Sequence, residues 1–130
     1  MKPTIRLHAF LFGSTFLATA AIQASTLYWD NNTTTSGFGT AGGTWSSAGS
    51  NLWNQDALGA TANGGLLTGY ATTTADNLNF GSSANGLAAG TVTVSGTVNS
   101  GNITFGTSPG NIIPSGGPIN LPATATITCN

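Results

Sequence analysis

Beyond His8 this chain of 130 residues has no lysine, arginine or histidine, and it contains no glutamate at all. Lys2, Arg6 and His8 are its only basic residues, and Asp30, Asp56 and Asp76 its only acids. Phosphate and nucleic-acid recognition rests on a cationic surface, so no nucleic acid and no nucleotide is expected as a partner. Most acid–base and nucleophilic catalysis draws on His, Lys, Glu or an activated Cys. The expectation is a protein that is not an enzyme and takes no cofactor. Cysteine is nearly absent too. Cys129 stands alone beside the C-terminus, which excludes an internal disulfide framework, and it reads as a small, half-buried apolar residue. Leu, Ile, Val and Phe are scarce, a usual mark of disorder, but in disordered chains that scarcity accompanies high net charge. Here charged residues make up 4 % of the chain and the formal net charge is -1, so a folded protein is expected.

The one extended apolar run spans Leu7 to Ile22, preceded by Lys2 and Arg6 and followed by Gln23-Ala24-Ser25. A positive start, an apolar stretch and small residues at the end make a secretory signal peptide, assigned to residues 1–24 with a cut after Ala24, or alternatively after Ala21. The run is shorter than the ~20 apolar residues a membrane span needs, and His8, Gly13, Ser14 and Thr15 interrupt it. The expected address is therefore outside the inner membrane, secreted or on the cell surface. Membrane association is expected only through this leader or through a C-terminal anchor that the chain lacks.

Two textures follow. Residues 25–74 carry all three tryptophans, Trp29, Trp45 and Trp53, with Tyr28, Phe38 and Tyr70, set among Gly-, Ser- and Thr-rich connections. Residues 75–130 carry short alternating runs: Asn77–Phe80, Thr91–Val94, Asn102–Phe105, Pro118–Leu121 and Thr126–Thr128. Each places apolar residues two apart with Asn or Thr between, the pattern of a half-buried strand. No window sustains a 3.6-residue period, so almost no helix is expected after the leader. The fold class is all-β. A sandwich or a barrel is open to such strands, but three features favour a β-solenoid: very short strands, turns carrying Gly and Asn, and loose self-similarity. Leu78-Asn79-Phe80-Gly81 and Ile103-Thr104-Phe105-Gly106 show that self-similarity best. The chain stops at Ile127-Thr128-Cys129-Asn130 straight after an apparent strand, with no polar cap. It is expected to be the N-terminal part of a longer repetitive protein, or a truncated reading frame.

The order of several segments is familiar. Tyr28-Trp29-Asp30-Asn31-Asn32, Gly37–Trp45 (GFGTAGGTW) and Asn51-Leu52-Trp53 are followed by Thr73–Gly81 (TTADNLNFG), Gly86–Val94 (GLAAGTVTV) and Gly101–Gly106 (GNITFG). This succession, which covers nearly all of residues 25–130, resembles the start of bacterial surface proteins with autotransporter-associated β-strand repeats. The resemblance implies a right-handed parallel β-helix, displayed at or released from the cell surface, in which residues 25–74 form an aromatic-rich N-terminal cap and residues 75–130 the first coils. The implied function is a non-catalytic structural or adhesive passenger segment. It supplies no catalytic residues.

Four aromatic residues and three acids are the candidates for a site. Trp29, Trp45, Trp53 and Tyr28 suit a stacking platform for an extracellular glycan or other surface component, the alternative function being a polysaccharide-binding module. The competing and preferred reading is the cap itself, since large aromatics would close an open solenoid end. Asp30, Asp56 and Asp76 could in principle give the carboxylate pair of a glycosidase, but they lie in separate loops, and Asp30 and Asp76 read as turn residues bonding nearby backbone. Asp30–Thr34 and Asn54-Gln55-Asp56 offer oxygen ligands of the kind calcium takes, yet lack the EF-hand Gly and Glu; they read as solvated loops. The Asn-x-Thr sequons at Asn31, Asn32 and Asn102 carry no weight in a chain of bacterial resemblance.

Overall fold

The computed structural model describes residues 23–33, 35–60, 65–107 and 110–130. The assigned signal peptide therefore lies outside the described residues, except for Gln23 and Ala24. Among the described residues there is no helix and there are eleven strands: β1 (Thr26–Trp29), β2 (Thr44–Ser46), β3 (Trp53–Asn54), β4 (Leu66–Leu67), β5 (Asn77–Phe80), β6 (Gly90–Ser95), β7 (Val98–Asn99), β8 (Asn102–Phe105), β9 (Ile112–Gly116), β10 (Ile119–Asn120) and β11 (Ile127–Cys129). The all-β expectation is met.

Three sheets share these strands, in the spatial orders β11-β8-β5-β1-β3-β4, β2-β6-β9 and β10-β7. From β5 onward the chain visits them in rotation: first, second, third, then again first, second, third, then first. Every neighbouring pair within this rotation is parallel and in register: Asn77 faces Asn102, Ile103 faces Ile127, Thr93 faces Ser115 and Val98 faces Ile119. Returns to equivalent positions come after 25, 24, 22 and 21 residues. β1 and β2 join the same parallel arrangement on β5 and β6. Only β3 and β4 run antiparallel, adding two short strands beyond β1.

Local sequence explains the strands. In β6 the side chains of Val92 and Val94 are buried while Thr91, Thr93 and Ser95 are exposed, as the two-residue alternation of a pleated strand requires. β5 and β8 hold the same pattern, and their inward residues form rows across the first sheet. One row runs Leu27, Leu78, Ile103, Ile127 and another Phe80, Phe105, Cys129. The Phe80 and Phe105 rings stack with centroids 5.2 Å apart. After each of these two phenylalanines comes a glycine, and a Cβ on Gly106 would sit 2.9 Å from the Gly81 carbonyl. The repeated Phe-Gly ending is thus a packing requirement, since the turns lie directly on one another. Asn side chains add a ladder along the strand edges. Asn102 Nδ2 donates to Asn77 Oδ1 at 2.7 Å, Asn102 Oδ1 accepts from Thr126 N at 2.8 Å, and Asn120 Nδ2 donates to Asn99 Oδ1 at 3.0 Å.

The structure departs from the sequence-based expectations in four places. β1 to β4, β7 and β9 lie outside the runs expected as strands: β7 is two residues long, and β9 contains Pro114, which is tolerated because β9 is an edge strand. Residues 25–74, expected as a cap, supply β1 and β2 to the parallel pairings of the first two sheets. Cys129 is exposed rather than half-buried, because β11 is an edge strand of the first sheet among the described residues. Asp30, Asn54 and Asp56 are buried, not solvated.

Candidate functional site

The largest side chains gather where β1, β2, β3 and β5 meet. Trp53 stands between Trp29 and Trp45, edge-on to each at 4.9 and 5.5 Å, and the Phe80 ring lies within 6.3 Å of all three. All four rings are 0 % exposed. Two indoles have their N–H groups satisfied inside the protein, Trp29 Nε1 by the Gly42 carbonyl and Trp45 Nε1 by Thr72 Oγ1, both at 2.9 Å. Trp53 Nε1 is buried with no acceptor among the described residues. The glycan-stacking expectation for Trp29, Trp45 and Trp53 is therefore corrected: no indole face reaches solvent. An aromatic side chain buries 150–250 Å², worth about 4–6 kcal/mol of transfer free energy at ~25 cal/mol per Å². Turning one outward to hold a sugar would forfeit that stabilisation.

Tyr28, the fourth candidate, points the other way. It is half-buried, stacked on Phe38 at 5.6 Å, and faces Asn79 across the β1–β5 pair. With Asn79, Ser82, Thr104 and Thr107 it lines an uncharged surface groove of about 420 Å³. A second groove, of about 470 Å³, lies at the far end of the sheets between Phe105, Ile112, Ile113 and Cys129.

The three carboxylates are all buried, Asp30 at 0 %, Asp56 at 2 % and Asp76 at 1 % exposure. They split into two networks. Asp76 accepts hydrogen bonds from Thr73 N (2.7 Å), Thr73 Oγ1 (3.0 Å), Tyr70 Oη (3.1 Å) and Ser25 N (3.3 Å). This ties the loop before β5 to the residue before β1. Burial, together with the Asp76 charge and hydrogen bond, raises the Tyr70 pKa above its usual 10.0, against a smaller opposite effect of Ser25. In the other network Asp30 Oδ1 accepts from Asn32 N at 3.0 Å and Asp30 Oδ2 from Asn54 Nδ2 at 2.7 Å. Asn54 Oδ1 then accepts from Asp56 N at 2.8 Å, and Asp56 Oδ1 from Leu58 N at 2.9 Å. The turn roles expected of Asp30 and Asp76 are observed. Among the described residues no group of three or more His, Cys, Asp or Glu side chains gathers in one place.

No family model, curated protein or solved structure matches this chain. Its chemistry stands on its own geometry: one aromatic core, one half-exposed tyrosine in a neutral groove, and two buried carboxylate networks. Sequence reasoning missed the pairing of Asp30 with Asn54. The signal was there, since both are Asx residues directly after a buried tryptophan (Trp29-Asp30 and Trp53-Asn54). The antiparallel pairing of β1 with β3 places those two dipeptides side by side.

Proposed function

We propose that this chain is the capped start of a right-handed parallel β-helix and serves as a non-catalytic structural or adhesive passenger segment of an exported bacterial surface protein. In this reading residues 1–24 are the leader, 25–74 close the head of the helix, and 75–130 form its first coils. The observation that carries the reading is the rotation of the chain through three parallel sheets with in-register returns every 21 to 25 residues. Parallel strands joined through a crossover are right-handed in almost all proteins, and stacked rows of like residues are the signature of solenoid coils. The segments around Tyr28-Trp29-Asp30 and Asn102–Gly106 add the resemblance to autotransporter-associated β-strand repeat proteins. A scaffold of this kind displays rows of Thr and Asn along its outer faces, which suits contact with other surface components.

The test is fractionation of the native cells with an antiserum raised against residues 25–130. The expected product is at the cell surface or in the medium and begins at Ser25. A cytoplasmic product that still begins at Met1 overturns the proposal. A second reading, glycan binding, retains only Tyr28 of the four aromatic candidates, because it alone lines an accessible groove. Binding to a glycan array that disappears in Tyr28→Ala with unchanged melting supports it, and no binding by the parent chain dismisses it.

A further inference from the structure

Two buried side-chain oxygens in the head of the molecule, Asp56 Oδ2 and Asn32 Oδ1, have no hydrogen-bond partner among the described residues. They belong to one hydrogen-bonded chain of residues. Asn32 N donates to Asp30, Asp30 accepts from Asn54, Asn54 accepts from Asp56 N, and Asp56 accepts from Leu58 N. The Leu58 carbonyl then accepts from Gly37 N at 2.8 Å. The Asn32 side chain adjoins the same turn, its Nδ2 3.7 Å from where a Cβ on Gly37 would sit. Both unpartnered atoms are acceptors, and neither can satisfy the other.

Charge sharpens the problem. Asp56 is 2 % exposed and Asp30 fully buried. A buried ionised carboxylate is costly unless it is paired or coordinated. Residues 9–130 contain no Lys, Arg or His, so no side chain of that long segment can neutralise either carboxylate. Asp76 solves the same difficulty with four hydrogen-bond donors, whereas Asp56 has one oxygen bonded and the other bare.

We propose that this loop cluster holds a hard divalent cation of the calcium class, with Asp56 Oδ2 and Asn32 Oδ1 as side-chain ligands and the Asp30 carboxylate supplying the second negative charge. Carboxylate and amide oxygens in an irregular loop cluster match the ligand preference of Ca²⁺. The absence of imidazole or thiolate argues against zinc. The cation would lock the loop after β1 to the loop after β3, and so fix the two segments that frame the tryptophan cluster.

The experiment uses the purified chain after treatment with EDTA. Trp29 and Trp53 adjoin the cluster in sequence, so terbium bound there is expected to show tryptophan-sensitised emission that calcium displaces. Calcium at roughly 10 mM is expected to raise the melting temperature by about 5–10 °C, and magnesium at the same concentration by much less. Asp56→Asn keeps the shape and removes the charge; it should lose both the emission and the calcium-dependent shift. Asn32→Ala, at a half-buried position, should weaken calcium binding about tenfold and serves if Asp56→Asn does not fold. Equal melting of the parent chain in calcium and EDTA without terbium emission overturns the proposal; the oxygens then share a water or a proton. Binding that survives in both variants overturns it as well.

Discussion

The two ends of the first sheet share a row of apolar side chains and differ in almost everything else. At one end Leu27 is 0 % exposed, covered by the β3–β4 addition and by the tryptophan cluster behind it; at the other, Ile127 is 57 % exposed. Between them Leu78 and Ile103, in the same row, are 1 % and 3 % exposed. Four aliphatic residues in one register therefore range from fully buried to 57 % exposed. What decides burial here is whether another layer lies beyond the strand. The head supplies that layer from bulky aromatics and antiparallel strands. All three residues of β11 at the tail remain exposed.

The largest expected effect tests that contrast directly. Trp45→Ala should destabilise the fold by about 3–5 kcal/mol, whereas Ile127→Ala in the tail should change stability by less than about 0.5 kcal/mol. Urea denaturation of the two variants checks this, and equal costs would break the comparison. Next comes the stacking of turns. Gly106→Val must push its side chain against the Gly81 carbonyl, so a loss of about 1–3 kcal/mol is expected. Amide exchange should accelerate in β8 and β11 and leave β1 to β3 unchanged. A smaller effect belongs to the Asn ladder. Asn102→Ala removes bonds to Asn77 and to Thr126 N and should cost about 1 kcal/mol, with faster exchange at the Thr126 amide as the local readout.

The smallest effect is one of pH, and it belongs to the head alone. Because burial beside Asp76 raises the Tyr70 pKa in the folded protein, the unfolded chain loses the phenolic proton first. This contribution to stability is fully present below the unfolded value near 10.0 and is lost as pH rises through the higher folded value. Tyr70→Phe should therefore flatten the alkaline limb of the stability profile. Melting curves between neutral and strongly alkaline pH measure it, and an unchanged limb would mean that Tyr70 does not couple to folding.

Several features of this fold are legible in the sequence. The runs around Leu78 to Phe80, Val92 to Val94 and Ile103 to Phe105 announced themselves by alternation, and all three are strands. Other strands escaped because they carry no periodic signal. β3, β4 and β7 are two residues each and exist only through their partners, whereas β10, equally short, falls in the expected run Pro118–Leu121. The acids show the same division. Asp30 and Asp76 were recognisable as turn residues from local hydrogen-bonding chemistry. Their burial was not recognisable, nor was the meeting of Asp30 with Asn54, because both depend on β1 lying against β3.

The chain's own residues set the direction of each side chain, the breaks at Gly and Asn, the want of counter-ions for the acids and the stock of large aromatics. These are properties of one residue and its near neighbours, fixed by the two-residue pleat and by side-chain chemistry. The folded arrangement settled which apolar rows are covered, why Trp29, Trp45 and Trp53 are core while Tyr28 is half-exposed, and why Cys129 stands in the open. Burial is contributed by whichever strand packs next, and in this protein that strand lies some two dozen residues or more away along the chain.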